Sequence, residues 1–333
     1  MIRFGVIGTN WITESFIKAA RETGEFVLTA VYSRTEERAN EFAAKMEAPH
    51  AFSDLRAFAD SDALDAVYVA SPNAYHAEHA ILCMNHGKHV LCEKPIASHA
   101  GELQAMIDAA KRNNVLLMEA LKSTLVPNFQ AVREHLPKLG KVRRYFASYC
   151  QYSSRYDAYK QGTVLNAFNP AFSNGSLMDL GTYCIYPLAV LFGKPDRMKA
   201  DGMLLGSGSG IDGEGSLLLQ YEDMDAVIMH SKIAHSYAPA EIQGENGTMV
   251  IDKINEPGKV EIRYRDGSVE EITRQQVANT MYYEAKRFIA LLKAGQTECD
   301  TNSFANSMTA MEIMDEARKQ MGLVFPADSN RFA

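Results

Sequence analysis

Short apolar runs alternate with amphipathic stretches along the first third of the chain. Ile2–Ile7 reads as a strand. In Trp11–Thr23, Ile12, Phe16, Ile17 and Ala20 recur at helical spacing, and Gly24 ends the run. Val27–Tyr32 reads as a second strand and Thr35–Lys45 as a helix. Ala66–Ala70 is a buried run followed by a helical stretch over Tyr75–Asn85. His89–Cys92 is strand-like, Ala100–Asn113 helical and Val115–Glu119 strand-like. Near-continuous apolar strands separated by helices predict a parallel sheet covered on both faces, with ligand sites at the carboxyl ends of its strands.

After Glu119 the texture changes. Pro127–Leu136 predicts a connecting helix, and then come longer alternating segments: Val142–Tyr152, Met198–Leu205, Ser216–Tyr221, Ala226–Ser231, Thr248–Asp252 and Val260–Tyr264. Turn sequences such as Glu245-Asn246-Gly247 and Asp266-Gly267 separate them. Helices are expected at Ser176–Gly193, Met281–Ala294 and Ser303–Gln320. The expected architecture is therefore α/β plus α+β. A doubly wound, Rossmann-type domain occupies residues 1–120. A domain with an open, mostly antiparallel sheet and flanking helices occupies 121–333, and serves substrate binding and oligomerisation. An open sheet with helices on one side has a second face to cover, which predicts a homodimer or homotetramer through that face.

Composition narrows the field. The chain has 333 residues, 47% hydrophobic and 23% charged, with a net charge of −7. That balance and the lack of a basic stripe argue against nucleic acid and anionic membranes as partners. The five cysteines, Cys83, Cys92, Cys150, Cys184 and Cys299, form no C-x-x-C pair and read as reduced thiols in a cytoplasmic protein. No leader pattern opens the sequence, and no apolar run is read as a membrane span. Gly206–Gly213 is the most flexible-looking loop.

The chemistry gathers at predicted strand ends. Gly8-Thr9-Asn10-Trp11-Ile12-Thr13 stands between the first strand and the first helix, where a dinucleotide-binding loop belongs, but keeps one glycine of the three in G-x-G-x-x-G. Gly8 retains the tight turn; Asn10 and Thr13 replace the other two, so the grip on the diphosphate is the weakest part of the motif. The second strand ends in Ser33-Arg34, with Arg38 one turn on. An acid there would bind the ribose 2′-hydroxyl of NAD. A hydroxyl and two guanidiniums suit the 2′-phosphate of NADP, which places NADP ahead of NAD. Ser71-Pro72-Asn73 with His76, then Glu93-Lys94-Pro95, follow at the next two strand ends.

In order along the chain, Gly8–Ile12, Ser33-Arg34, Ser71-Pro72-Asn73 with His76, Glu93-Lys94-Pro95 and Asp179-x-x-x-Tyr183 resemble the Gfo/Idh/MocA oxidoreductases. Glu119-Ala120, Phe168-Asn-Pro170 and the stretch from Asn174 to Tyr183 look most like the dihydrodiol and xylose dehydrogenase branch, and like an uncharacterised bacterial subgroup. The resemblance covers essentially the whole chain. It implies NAD(P)-dependent hydride transfer on a sugar, polyol or cyclic diol, with Lys94 as the active-site lysine and Asp179 and Tyr183 as the catalytic pair of the second domain. Where branch members often have arginine in the segment before Pro127, this chain has Thr124, so substrate identity does not transfer.

Such a reaction needs a proton carrier. A tyrosine titrates near ~10 and an adjacent ammonium lowers that, so Lys94 would activate Tyr183 as general acid/base. Asp179 and Tyr183 are four apart on an expected helix and share a face. Lys94 itself remains an alternative proton carrier. Lys122, Tyr152 and Arg155 are candidate substrate contacts. His76-x-x-His79 and His86-x-x-His89 invite a zinc reading, but the second pair straddles Gly87, so no metal is expected. Two other functions stay open: a redox-neutral epimerase or glycoside-cleaving enzyme with recycled NAD(P), and a non-catalytic NAD(P)-binding regulator.

Overall fold

The computed structural model describes residues 1–206 and 210–329. Ser207, Gly208 and Ser209 of the glycine–serine loop lie outside the described residues. The chain forms two compact units. Among the described residues, the first contains Met1–Lys122 and Val277–Ala305, and the second contains Ser123–Gln276 and residues 306–329.

The first unit is built on a six-stranded parallel sheet. Its strands are β1 (Ile2–Ile7), β2 (Phe26–Tyr32), β3 (His50–Phe52), β4 (Ala66–Val69), β5 (His89–Glu93) and β6 (Leu117–Ala120), in the spatial order β3-β2-β1-β4-β5-β6. The order reverses between β1 and β4, the switch point at which such sheets bind ligands. β4 is buried at every position, as a strand covered on both faces must be. Strand β3 and helix Leu55–Asp60 were not expected. Both are short, and half-exposed residues dilute their patterns.

Helix Met281–Lys293, expected with the second domain, belongs to the first unit. Its Phe288 ring lies 5.7 Å from that of Phe4 on β1. Nearby, Asn279 donates to the main chain of Ser15 at 3.0 Å, and Asn302 donates to the carbonyls of Glu119 and Leu121 at 2.9 and 3.2 Å. Helical periodicity alone does not say which sheet a helix covers.

The second unit carries an eight-stranded sheet: β7 (Val142–Cys150), β8 (Arg197–Leu204), β9 (Asp212–Gln220), β10 (Asp225–Ser231), β11 (Ala240–Gly244), β12 (Gly247–Ile251), β13 (Val260–Tyr264) and β14 (Val269–Glu271). Its order is β14-β13-β12-β11-β7-β10-β9-β8, and every pair is antiparallel except β7 with β10. Tyr145 and Ala147 on β7 and Ala226 and Ile228 on β10 face inward under the run Leu177–Phe192 and helix Phe304–Met321. Tyr186 of that run shares a hydrogen bond with Ser307 at 2.7 Å. The stretch Pro170–Phe192 is long and apolar enough to cross a membrane, contrary to the sequence expectation, but 72% of its most apolar window is buried in the protein. β11, β14 and helix Ser154–Lys160 were not expected.

Candidate functional site

The loop after β1 is shaped by one close approach. Gly8 has φ +105°, and a Cβ there would stand 2.4 Å from the carbonyl oxygen of Ala70 at the end of β4. Only glycine fits. Asn10 shows why the other two glycines are dispensable for the turn. Its side chain caps helix Trp11–Arg21, accepting from Ile12 N at 3.0 Å and Thr13 N at 3.2 Å, while its amide donates to Ala70 O at 3.2 Å. Thr13, fully buried, donates its hydroxyl to the same Asn10 oxygen at 3.3 Å. Trp11 heads the helix with 69% of its surface exposed, beside half-buried Thr9 and Ile12. The positive-φ turn at the switch point and the helix N-terminus behind it fit a dinucleotide.

Ser33 and Arg34 follow β2, with Arg34 exposed. Arg38 is exposed as well but is tied down: it donates to Thr9 Oγ1 at 3.2 Å and Thr9 O at 2.8 Å, and pairs with Glu41 at 2.7 Å. It clamps the first loop to the second.

At the end of β4, Ser71, Pro72 and Asn73 are half-buried. His76 is buried, with Nε2 2.8 Å from Ser71 O and Nδ1 2.9 Å from Pro95 O. Burial, with the charge of Lys94 as a lesser influence in the same direction, lowers it to about 4, so the ring is neutral at pH 7 and donates to one of these carbonyls. The ring thus sits between the loops after β4 and β5, with its one N–H bonded to one of them. His79 faces the hydroxyl of Ser71 at 3.0 Å. Among the described residues, no group of three or more His, Cys, Asp or Glu is placed to hold a metal ion.

The end of β5 delivers Glu93 and Lys94. Within the run Cys92–Ser98 only Lys94 is not fully buried. Glu93 is buried; Tyr68 donates its hydroxyl to one carboxylate oxygen, and Lys94 N donates to the other at 3.1 Å. The Lys94–Pro95 peptide is cis. Lys122, half-buried after β6, lies in the electrostatic field of Glu93.

In the second unit, Asp179 and Tyr183 are the only half-buried residues in the otherwise buried run Gly175–Ala189. They open to the same side, but not through a plain α-helix: Leu177–Gly181 is a π-helical turn and the α-helix begins at Thr182. Such turns cluster at functional sites. The Tyr183 ring packs edge-on to Tyr149 of β7, centroids 5.6 Å apart. Asp179 pairs with Lys232 at 2.8 Å. Lys232 is buried just past β10; it also donates to Ala167 O at 3.1 Å and stands 5.3 Å from the Phe168 ring centre. Sequence reasoning missed Lys232, because a lone lysine after an alternating strand carries no motif. Asp212, buried and raised to about 6 mainly by that burial, accepts from Leu177 N at 2.6 Å and anchors the start of the π turn.

The expected substrate contacts fare differently. Tyr152 is held by Asp157 at 2.7 Å and by Lys160 at 2.8 Å. Arg155 is exposed on helix Ser154–Lys160.

Residues 2–121 match the model of the oxidoreductase family with an NAD-binding Rossmann fold, and residues 129–250 match that of the GFO/IDH/MocA C-terminal domain. The chain belongs to the Gfo/Idh/MocA oxidoreductase family. It is 61% identical to scyllo-inositol 2-dehydrogenase (NADP(+)) IolU of Bacillus subtilis (strain 168), covering 98% of this chain and 99% of that one. It is 28% identical to trans-1,2-dihydrobenzene-1,2-diol dehydrogenase of Mus musculus, covering 98% and 99%. A solved levoglucosan dehydrogenase, in complex with NADH and levoglucosan, superposes with a TM-score of 0.85 at 20% identity over 96% of this chain and 97% of that one, a likeness of fold. The chain is thus an NAD(P)-dependent oxidoreductase acting on CH–OH groups.

The ion pair of the second unit makes an asymmetric prediction. Asp179→Ala strands a buried ammonium and costs about 3–5 kcal/mol of stability. Lys232→Met removes the buried charge and leaves a carboxylate that is 37% exposed, so it costs far less. Urea denaturation of both variants measures this; an equal or larger loss in Lys232→Met refutes it.

Proposed function

We propose that this enzyme transfers a hydride between NADP and a ring carbon of a cyclic polyol of the inositol class. The cofactor half rests on one observation: β2 ends in Ser33 and an exposed Arg34, with no acid, where the ribose 2′ position is read. The substrate half is supported by the 61% identity to the inositol dehydrogenase.

In this reading Gly8, Thr9, Asn10, Trp11 and Ile12 line the diphosphate, Ser33 and Arg34 take the 2′-phosphate, and Arg38 fixes the loop through Thr9. Ser71, Pro72, Asn73 and Glu93 shape the nicotinamide end, with His76 holding their loops. NADP, when bound, would supply the hydride acceptor for the alcohol carbon. The chain supplies the rest. Tyr183, as the tyrosinate, takes the alcohol proton and becomes the phenol; Lys94 holds the reacting oxygen and favours the tyrosinate; and Asp179, paired with Lys232, orients the polyol. Lys122, Tyr152 and Arg155 are the proposed outer contacts.

Five unbridged cysteines suit a cytoplasmic location. The open face of the second sheet suits a homodimer or homotetramer. Leu218, Val227 and Phe146 are cross-strand neighbours there, and Leu218 is 51% exposed.

Absorbance assays of inositols, other polyols, sugars and diols with each cofactor test the reading. Inositol turnover with NADP preferred is expected, and Arg34→Ala should weaken NADP about ten- to hundredfold while sparing NAD. A wild-type preference for NAD refutes the cofactor assignment. Tyr183→Phe and Lys94→Ala should each lower kcat about 10²–10⁴-fold, with NADP binding retained in the tyrosine variant. Near wild-type turnover in both would sink the proton assignment. Sedimentation should show a dimer or tetramer that Leu218→Glu dissociates; a monomeric wild type rules it out.

A further inference from the structure

Helix Met281–Lys293 carries Glu284 into the first unit, where only 1% of its surface is exposed. Glu284 lies one helical turn before Phe288, on the face that meets Phe4 of β1. No donor among the described residues reaches either of its carboxyl oxygens. A bare carboxylate in such a place is strongly disfavoured. Glu93 and Lys122 are its electrostatic neighbours, the first opposing ionisation and the second favouring it.

Glu93 is buried as well, and burial pushes its carboxyl up too, but it is differently furnished. It accepts from the hydroxyl of Tyr68 and from Lys94 N, and it feels the ammonium of Lys94 and, more weakly, that of Lys122. Hydrogen bonds and a cation favour the ionised form of the group that receives them. One carboxyl of the cluster has two donors and the ammonium of Lys94 in its field, while the other has no donor among the described residues. Two acids so placed oppose each other's ionisation, which favours one proton shared by the pair.

We propose that Glu284 is a positioning residue: it keeps that proton, and so leaves Glu93 as the single anion facing the ammonium of Lys94. Burial first, and the charge of Glu93 second, push the Glu284 carboxyl up. The proposal rests on Lys94 acting in catalysis as read above. No feature of the cofactor or substrate enters the placement of the proton itself.

The test uses the full-length enzyme and Glu284→Gln, with Glu284→Met as a second neutral variant should the amide fold poorly. An acid whose folded pKa is raised holds its proton in the native chain and loses it in the unfolded one. Its stabilising effect is complete below the ordinary carboxylate range and is lost as pH rises toward the folded value. Relative to either neutral variant, the folding constant of the wild type should therefore fall about tenfold per pH unit above that range. Asp212 contributes the same slope to all of them and drops out of the difference. Parallel curves overturn the proposal.

The pH profile of kcat/KM tests the positioning role. In the wild type, ionisation of Glu284 as pH rises adds a second negative charge beside Glu93, the group that faces Lys94, and so favours the ammonium. Glu284→Gln should move the alkaline limb to lower pH, and Glu284→Asp, which keeps a carboxyl, should retain it. An unmoved limb in Glu284→Gln overturns the positioning role. Failure of every polyol to turn over would count against the functional reading, while the stability curves still decide whether the Glu93–Glu284 pair holds a proton.

Discussion

The carbonyl of Ala70 fills the space a side chain at position 8 would need. β1 and β4 are neighbours at the point where the sheet order reverses, and their outgoing loops converge there. Everything at this end of the first unit is arranged around that approach. Asn10 donates to the same carbonyl, so the helix that follows is fixed to β4 as well as to β1. His76 is packed between Ser71 O and Pro95 O, at the junction of the loops after β4 and β5, and its one N–H bonds to one of the two carbonyls. Arg38 closes the other side by holding Thr9. Four consecutive strand ends thus form one hydrogen-bonded ledge, made largely of main-chain carbonyls and a few polar side chains.

A second constraint is the cost of charge in a dry interior, and it explains where the reactive groups stand. In each buried run that carries chemistry, the residues assigned to the reaction are the ones left half-exposed: Lys94 in Cys92–Ser98, Asp179 and Tyr183 in Gly175–Ala189. The fully buried charges act behind them and are compensated from distant segments. Lys232 meets Asp179 from 53 residues away and Glu93 meets Tyr68 from 25. Half-exposed groups such as these are open to proton exchange with solvent, while their buried partners are not.

This division also sets what the sequence could reveal. β1, β2, β4 and β5 were legible because buried parallel strands are continuously apolar, and their ends carried Gly8, Ser33-Arg34, Ser71-Pro72-Asn73 and Glu93-Lys94 in plain order. β3, β11 and β14 were not, being short and partly exposed, so neither apolar continuity nor strict alternation marks them. Helix Met281–Lys293 was legible as a helix but not as part of the first unit, since its amphipathic pattern says only that one face is buried. The partners were hidden for the same reason. Lys232 and Glu284 act through contacts made across the fold, and neither belongs to a local pattern. The π turn at Leu177–Gly181 was read as α-helix because both conformations accept the same apolar run.

The loop that keeps one glycine of three has a physical consequence for affinity. A helix N-terminus attracts a diphosphate through N–H groups that the helix leaves unpaired. Here Asn10 has already accepted those of Ile12 and Thr13, and Glu14 N bonds to the main-chain carbonyl of Asn10. Of the first turn, Trp11 N–H alone stands outside this set. The side chain that makes the turn rigid therefore spends part of the field that would hold the phosphates. A cofactor bound by such a loop must draw more of its affinity from elsewhere, and in the proposed reading a 2′-phosphate on Ser33 and Arg34 would supply charge-assisted hydrogen bonds at the far side of the same ledge. In that reading the damaged fingerprint and the arginine after β2 are one adaptation: rigidity gained at the diphosphate is offset by charge at the ribose.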